Sequence, residues 1–273
     1  MKKNILLILL LVTHILISQN NQESGRKKIS DQKYNSQDIE FINDEDHIKL
    51  YGTLLSPDTK YSKIAIIVPG SGKNTRDSHY FLAQELLKEG IAVFRYDERG
   101  VGMSEGKYKF IEDNDDLYYA IKKLKESSIV SNIKIGVIGH SMGGFLVLSA
   151  YEKNNNLDFL VLLSTPIEKD GKFRKRYFIH NDQKTVSLQN VLTNIKTPTL
   201  FMIGTEDSFC NPEKAVTLLS TLENPKITIN KEKEMNHFLI KGNDSWRKTE
   251  SYDLLYEMDQ KTLSEIVNWL NTM

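Results

Sequence analysis

The middle of the chain repeats one alternation, in which a short run rich in Ile, Val and Leu is followed by a segment whose apolar residues have helical spacing. The apolar runs are "KIAIIVPG", "IAVFRYDERG", "NIKIGVIG", "LDFLVLLST", "TPTLFMIG" and "KITIN", and four of the helical segments are "SHYFLAQELLKEG", "DNDDLYYAIKKLKES", "GFLVLSAYEKN" and "PEKAVTLLSTL". A strand that is apolar throughout is buried on both of its faces. The alternation therefore predicts an α/β domain with a mostly parallel sheet and helices on both faces.

The segments on either side complete this domain. "DIEFIN" and "HIKLYGTLLSP" alternate apolar and polar residues around an acidic turn, which predicts an antiparallel hairpin and brings the strand total to eight. At the other end, "SYDLLYEMDQKTLSEIVNWLNTM" predicts a final helix. Because no internal repeat or Pro/Gly/Ser-rich linker divides the chain, residues 38–273 are predicted to form one domain.

The N-terminal segment is predicted to be a signal peptide. "MKKNILLILLLVTHILISQN" has two lysines, an apolar run from Ile5 to Ile17 and a small residue, Ser18, at a suitable cleavage position. The run is shorter than the roughly 20 apolar residues of a membrane span, although an uncleaved signal anchor is the alternative. We expect residues 1–19 to be removed on export to the periplasm or the medium, with no stable membrane insertion afterwards. The polar residues 20–37 are predicted to be a flexible lead-in.

Composition excludes some function classes. The 273-residue chain has 36 basic and 36 acidic residues, so nothing favours binding to nucleic acid or to an anionic membrane surface. Its one cysteine, Cys210, excludes an intramolecular disulfide and argues against a zinc site made of thiolates. The oligomeric state is not indicated by the sequence.

Glycines surround a serine in "IGVIGHSMGGFLVLSAY", residues 135–151. The pattern Gly-x-Ser-x-Gly lies between a predicted strand and a predicted helix, where a sharp turn would hold Ser141 in a strained, exposed conformation. Gly139 and Gly143 would leave room for the flanking elements, and the N–H groups of the helix N-terminus would face a developing oxyanion. A nucleophilic serine is the prediction, and a plain structural turn is the alternative.

A serine nucleophile needs a base and an acid to orient that base. His237, in "EMNHFLI", follows the last strand and so lies at the carboxyl edge of the sheet, where ligands bind. His79 is a second candidate base, whereas the side chain of His140 is expected to point away from the substrate. The acid is expected after "TPTLFMIG", where "GTEDSF" offers Asp207 and its neighbour Glu206.

Taken together, these segments resemble the α/β-hydrolase superfamily, in particular small serine esterases related to the serine aminopeptidase group. "GHSMGG" matches the nucleophile elbow, "YDERGVGMS" the Asp-x-Arg-Gly-x-Gly-x-Ser loop and "VPGSG" the oxyanion loop, while "GTEDSF" and "NHFLI" match the acid and base segments. The resemblance covers residues 38–273. It implies the α/β-hydrolase fold, namely a mostly parallel eight-stranded sheet with helices on both faces and a short cap.

The resemblance also implies roles for individual residues. It favours Asp207 over Glu206 as the acid, in the chain order Ser141, Asp207, His237. It implies that the backbone N–H groups of Ser71 and Met142 form the oxyanion hole. In the "YDERGVGMS" loop it implies a structural role for Asp97 and Arg99.

The chain departs from the family pattern at two places. Pro69-Gly70 stands where many relatives have His-Gly. The region between Ser164 and Thr197 has only about thirty residues, with a basic run at Lys172–Arg176 and aromatic side chains at Phe173, Tyr177 and Phe178. So short a cap predicts an accessible cleft that prefers short esters.

The expected activity is that of a serine hydrolase that cleaves small-molecule carboxylic esters through an acyl-enzyme, without a cofactor or a metal. A peptidase or amidase with the same three residues is the first alternative. A non-catalytic binding protein on a hydrolase fold is the second, and the presence of Ser141, Asp207 and His237 argues against it. The sequence does not define the acyl group or the alcohol.

Overall fold

The computed structural model of the protein describes residues 34–108, 115–127, 132–153, 156–168, 188–242 and 258–273. Within these residues the strands are β1 Tyr34–Asn43, β2 Ile48–Pro57, β3 Lys63–Val68, β4 Ala92–Tyr96, β5 Lys134–His140, β6 Phe159–Leu163, β7 Thr199–Gly204 and β8 Ile227–Glu232. The helices are α1 Tyr80–Lys88, α2 Asp116–Glu126, α3 Met142–Lys153, α4 Leu188–Asn194, α5 Pro212–Thr221 and α6 Gln260–Asn271.

The strands form one sheet of eight strands in the order β1-β2-β4-β3-β5-β6-β7-β8. The strand β2 pairs antiparallel with β1 and with β4, and the remaining neighbours pair parallel. The predicted mostly parallel eight-stranded sheet is therefore confirmed. The loops that follow β3 to β8 all leave the sheet at its carboxyl edge.

Helices cover both faces of this sheet, as predicted. Alternate residues of β3 belong to opposite cores: Ile64 and Ile66 pack with residues of α2 to α5, whereas Ala65 and Ile67 pack with residues of α1 and α6. These four side chains are essentially inaccessible to solvent. The burial of both faces explains why the central strands are apolar throughout.

The strand β1 begins at Tyr34, four residues before the predicted start of the domain at residue 38. Residues 34–37 are polar and mostly exposed, so they lack the apolar alternation that marks the rest of the hairpin. Backbone pairing with β2 extends the strand instead, from Tyr34 opposite Pro57 to Gln37 opposite Leu54. The predicted signal peptide and residues 20–33 lie outside the described residues.

The last helix, α6, lies within the segment in which a final helix was predicted. Met258 and Asp259 precede it, and the Asp259 carboxylate caps its N-terminus by accepting hydrogen bonds from the Lys261 and Thr262 N–H groups at 3.0 and 3.2 Å. The basic and aromatic residues of the predicted cap, like residues 251–257, lie outside the described residues. Among the helices that the structure describes, none has both the length and the apolar character needed to cross a membrane.

Candidate active site

Ser141 occupies the sharp turn between β5 and α3, with a backbone φ of 53° in the left-handed region. The two glycines of the turn pack closely against neighbouring segments. A Cβ at Gly139 would lie 2.6 Å from Val147 Cγ2, and one at Gly143 would lie 2.4 Å from the Pro69 carbonyl oxygen. Real Cβ atoms do not approach other atoms so closely. The two glycines are therefore a steric condition for the turn that presents Ser141.

A third glycine of the turn, Gly144, was not singled out from the sequence. A Cβ at this position would lie 1.9 Å from Thr165 Oγ1, on the loop that follows β6. Thr165 is fully buried. Gly144 thus lets α3 approach the neighbouring loop, and the pattern Gly-x-Ser-x-Gly gives no sign of this contact.

His237 lies beyond β8 and joins Ser141 to Asp207. Its Nε2 is 2.9 Å from Ser141 Oγ, and its Nδ1 is 2.8 Å from Asp207 Oδ2. A carboxylate only accepts hydrogen bonds, so Nδ1 carries the proton and the lone pair of Nε2 faces the serine hydroxyl. In this tautomer the Ser141 hydroxyl donates to Nε2, which is the arrangement that a general base requires.

Asp207 lies just beyond β7 and is buried. Its second oxygen, Oδ1, accepts hydrogen bonds from the N–H groups of Phe209 and Cys210, both at 2.8 Å. Burial alone would raise the pKa of Asp207, but the hydrogen bonds from His237 and from the two N–H groups outweigh it and hold the pKa below its ordinary value. The alternative acid, Glu206, is exposed and accepts a hydrogen bond from the Thr205 hydroxyl.

Close packing of two loops sets the separation of acid and base. A Cβ at Gly204, the last residue of β7, would lie 2.0 Å from the Met235 carbonyl oxygen. The side chain of Asn236 then fixes the turn that carries His237, because its Oδ1 accepts hydrogen bonds from the N–H groups of Phe238 and Ile240 at 2.9 and 3.1 Å. Neither contact was predicted from the sequence.

His140 and His79 are both buried but do not take the place of His237. The ring of His140 lies 5.2 Å from each of the His237 and His79 rings, and its Nε2 donates to the His237 carbonyl oxygen at 3.0 Å. Burial and the neighbouring His237 lower the pKa of His140 to about 3, so the ring is neutral. Burial likewise lowers the pKa of His79, the second candidate base, well below its ordinary value. His140 therefore helps to hold the backbone of the His237 loop.

Cys210 lies beside the acid and the base. Its Sγ is 3.8 Å from His237 Nδ1 and donates to the Ser164 carbonyl oxygen at 3.3 Å. Among the described residues, Asp207, Cys210 and His237 present potential metal-ligand atoms within 4.8 Å of one another. The 2.8 Å between Asp207 Oδ2 and His237 Nδ1 is a hydrogen-bond distance, shorter than the roughly 3.3 Å between two ligands of a tetrahedral zinc ion. The geometry is thus that of a hydrogen-bonded pair.

The two expected oxyanion donors lie on either side of Ser141. Met142 is the first residue of α3, so its N–H has no acceptor within the helix. Ser71 follows Gly70. A Cβ added to Gly70 would lie 3.0 Å from Ser141 Cβ. The loop Pro69–Gly72, which we call the oxyanion loop, therefore packs directly against the serine.

Asp97 and Arg99 take part in separate structural networks. Asp97 accepts hydrogen bonds from the N–H groups of Arg76 and Met103 and pairs with the Arg76 guanidinium at 2.9 Å. Arg99 pairs with Asp116 at 2.7 Å through a two-pronged contact. Both contacts fix loops at the carboxyl edge rather than reaching Ser141, which agrees with the structural role expected for them.

Comparison with known proteins gives a consistent result. Residues 59–181 match the family model described as serine aminopeptidase, S33. Similar solved structures include the esterase Pf2001 from Pyrococcus furiosus (23% identity, 90% of this chain and 93% of that chain covered, TM-score 0.67) and the dienelactone hydrolase from Anabaena variabilis (16%, 87% and 95%, 0.62). Est1E from Butyrivibrio proteoclasticus, solved with ferulic acid bound, is also similar (20%, 85% and 99%, 0.59). No curated protein sequence matches the chain.

The strand order, the serine turn between β5 and α3 and the likeness to these solved structures show that the protein has the α/β-hydrolase fold. The match to the serine aminopeptidase model covers residues 59–181, which is less than half of the chain. The expected α/β-hydrolase fold is confirmed.

Proposed function

We propose that the protein is a serine hydrolase that cleaves carboxylic esters through an acyl-enzyme. The observation that carries this proposal is the continuous hydrogen-bonded chain from Ser141 Oγ through the His237 ring to Asp207. The chain starts at a serine held in a strained turn at the carboxyl edge of the sheet. A nucleophile, a base and a group that orients the base are the parts that acyl transfer requires.

In the first half of the proposed reaction, Ser141 Oγ attacks the ester carbonyl carbon while its proton moves to His237 Nε2. The carbonyl π bond breaks and its electrons form an oxyanion, which accepts hydrogen bonds from the N–H groups of Ser71 and Met142. Each such donor lowers the barrier by about 3 kcal/mol. Asp207 stays ionised, holds the imidazole in the required tautomer and stabilises the imidazolium.

The tetrahedral intermediate then collapses, and the alcohol leaves with the proton from His237 Nε2. Water takes the place of the alcohol in the second half: it gives a proton to Nε2 as it attacks the acyl-enzyme. Collapse of this intermediate releases the acid and returns the proton to Ser141 Oγ. The products are a carboxylic acid and an alcohol.

Ester cleavage is preferred to amide cleavage because two of the similar structures are described as an esterase and as a protein with ferulic acid, a carboxylic acid, bound. The second candidate activity is that of a peptidase or amidase, and the match to the serine aminopeptidase model favours it. Resonance stabilises an amide more than an ester, and an alkoxide is a better leaving group than an amide anion, so the same three residues cleave esters more readily.

A substrate panel distinguishes the two activities. We expect p-nitrophenyl esters, from acetate to palmitate, to be cleaved with kcat/KM values at least about 100-fold above those for aminoacyl p-nitroanilides. Higher kcat/KM values for the anilides would instead establish the peptidase.

Substitution of Ser141 tests the mechanism itself. Ser141→Ala is expected to abolish labelling by a fluorophosphonate and to lower kcat by about 10⁴- to 10⁶-fold. His237→Ala should cost nearly as much, because the two residues act as one unit. Ser149, a buried serine of the helix α3 that follows the turn, supplies the control, since Ser149→Ala should keep both labelling and activity. Activity retained by purified Ser141→Ala, or an absence of labelling in the unsubstituted protein, would contradict the proposal.

A further inference from the structure

The side chain of Asn74 contacts the backbone of the oxyanion loop. Its side-chain Nδ2 donates to the Gly70 carbonyl oxygen at 3.0 Å and to the Gly72 carbonyl oxygen at 3.2 Å. Only 6% of the residue is exposed. One buried amide thus binds the carbonyl groups of the residues on either side of Ser71.

The contact with Gly70 bears directly on the Ser71 N–H, because both groups belong to the same peptide unit. The Gly70–Ser71 peptide bond is trans, so its carbonyl oxygen and its N–H point in opposite directions. With Asn74 bound to the oxygen, the N–H points away from Asn74. The hydrogen bond also polarises the peptide unit and strengthens the N–H as a donor.

Glu98 in turn holds Asn74. Its Oε2 accepts hydrogen bonds from the Asn74 backbone N–H at 2.9 Å and from Nδ2 at 3.4 Å, and its own N–H donates to the Asn74 carbonyl oxygen at 3.2 Å. The carbonyl oxygens of Gly70 and Gly72 only accept hydrogen bonds, so the amide nitrogen of Asn74 must be the atom that faces them, and the orientation of the amide is fixed. The residue at the variable position of "YDERG" therefore connects to the oxyanion loop through one intermediate side chain.

We propose that Asn74 and Glu98 form a clamp that positions the Ser71 N–H for the oxyanion of the reaction. This inference rests on the proposed function, since it presupposes that Ser71 is an oxyanion donor. Both are positioning residues, because they act on the reaction through the Gly70–Ser71 peptide unit. Nothing in the Gly-x-Ser-x-Gly pattern or in the family motifs quoted above points to Asn74.

The test compares Asn74→Ala with a matched control, Asn224→Ala. The Asn224 amide also donates to backbone carbonyl oxygens, those of Leu192, Thr193 and Ile195 at 2.9, 3.1 and 3.0 Å, but it lies before β8, at the amino edge of the sheet. Asn74→Ala is expected to lower kcat by about 10- to 100-fold with KM changed by less than about 3-fold, because the lost orientation matters only in the transition state. Asn224→Ala should lower the melting temperature and leave kcat unchanged.

A second readout isolates the oxyanion. Sulfur is a weaker hydrogen-bond acceptor than oxygen, so a well-placed donor favours an ester over the thionoester in which sulfur replaces the carbonyl oxygen. The kcat/KM for the ester divided by that for the thionoester should fall in Asn74→Ala by about as much as kcat does. The same ratio should stay constant in Asn224→Ala. A wild-type ratio in Asn74→Ala would overturn the clamp, whether or not kcat falls.

Glu98 provides a further pair of variants, which also decides the matter if Asn74→Ala does not fold. Glu98→Gln keeps an oxygen that can accept from the Asn74 N–H and should retain most of kcat, whereas Glu98→Ala should lose about 3- to 10-fold. Equal kcat values for the two would overturn the clamp. Ser141→Ala, assayed in parallel, separates failure of the clamp from failure of the proposed function. If activity does not depend on Ser141, the proposed function is wrong. If activity depends on Ser141 but the two Glu98 variants have equal kcat values, only the clamp is wrong.

Discussion

Replacing Glu98 with glutamine is expected to make the protein more stable at pH 8 and to leave its stability unchanged near pH 4.5. Burial raises the pKa of Glu98 to about 7, more than the two hydrogen bonds from Asn74 lower it, and the carboxylate of Asp116 adds to the rise. The carboxyl group is therefore harder to ionise in the native protein than in the unfolded chain. Glutamine has a similar shape and keeps the acceptor oxygen but does not ionise.

The sign follows from proton linkage. Between the ordinary pKa of 4.5 and the native pKa of about 7, the native state binds more protons at Glu98 than the unfolded state does. The contribution of Glu98 to stability is thus fully present below pH 4.5 and is lost as the pH rises through 7. The full shift corresponds to roughly 3 kcal/mol. Because Glu98 is partly open to solvent, we expect a gain of about 2 kcal/mol for Glu98→Gln at pH 8.

The assay is urea unfolding of both proteins, followed by circular dichroism at several pH values from 4.5 to 8. All other titrating groups are common to the two proteins, so the difference between their free energies of unfolding isolates Glu98. The advantage of Glu98→Gln in free energy of unfolding should grow from pH 4.5 to about 7 and level off above pH 7. A difference that is constant with pH, or a wild-type protein more stable at pH 8, would refute the reasoning.

Four other outcomes are expected. Asp207→Asn should leave the fold intact and lower kcat by about 10³- to 10⁴-fold, because an amide does not fix the required tautomer of His237; kcat and the circular dichroism spectrum together check this. Gly144→Ala should lower the free energy of unfolding by about 1 to 3 kcal/mol, since its methyl group would meet Thr165, and Gly144→Ala/Thr165→Ala should recover part of the loss in urea unfolding. Short p-nitrophenyl esters should give higher kcat/KM than long ones, and a steady rise towards palmitate would contradict this. N-terminal sequencing of exported protein should find a chain that starts near residue 19 or 20, and an intact Met1 would argue for an anchor.

Local sequence signals were sufficient for the parts of the fold that bury apolar side chains. Most of the parallel strands are predominantly apolar, so their number and direction could be predicted. Residues 34–37 carried no such signal, because backbone pairing at the edge of the sheet places few constraints on side chains. The final helix could be predicted as well, and Asp259, a good N-cap residue, is a local signal for its start.

The candidate site divides in the same way. Ser141, Asp207 and His237 could be proposed from the sequence because each follows a recognisable parallel strand, and parallel strands end at a shared edge. Contacts between loops have no comparable pattern in the sequence. Asn74 and Glu98 are separated by 24 residues, and only the folded chain shows that they meet behind the oxyanion loop.

The strain at Ser141 can be measured apart from catalysis by comparing Ser141→Gly with Ser141→Ala. Both variants lose the hydroxyl, but only alanine has a Cβ in the left-handed conformation that φ 53° defines. That conformation costs an L-residue about 1 to 2 kcal/mol, and glycine gives back about 0.5 to 1 kcal/mol as backbone entropy on folding.

Ser141→Gly should therefore be more stable than Ser141→Ala in urea unfolding, by about 0.7 kcal/mol if both costs lie at the middle of their ranges. Ser149 lies inside helix α3, which follows the turn. There the alanine variant should be more stable than the glycine variant, since glycine in a helix interior costs about 1 kcal/mol relative to alanine. If alanine were the more stable replacement at both positions, the turn would not be strained, and the glycines around Ser141 would serve packing alone.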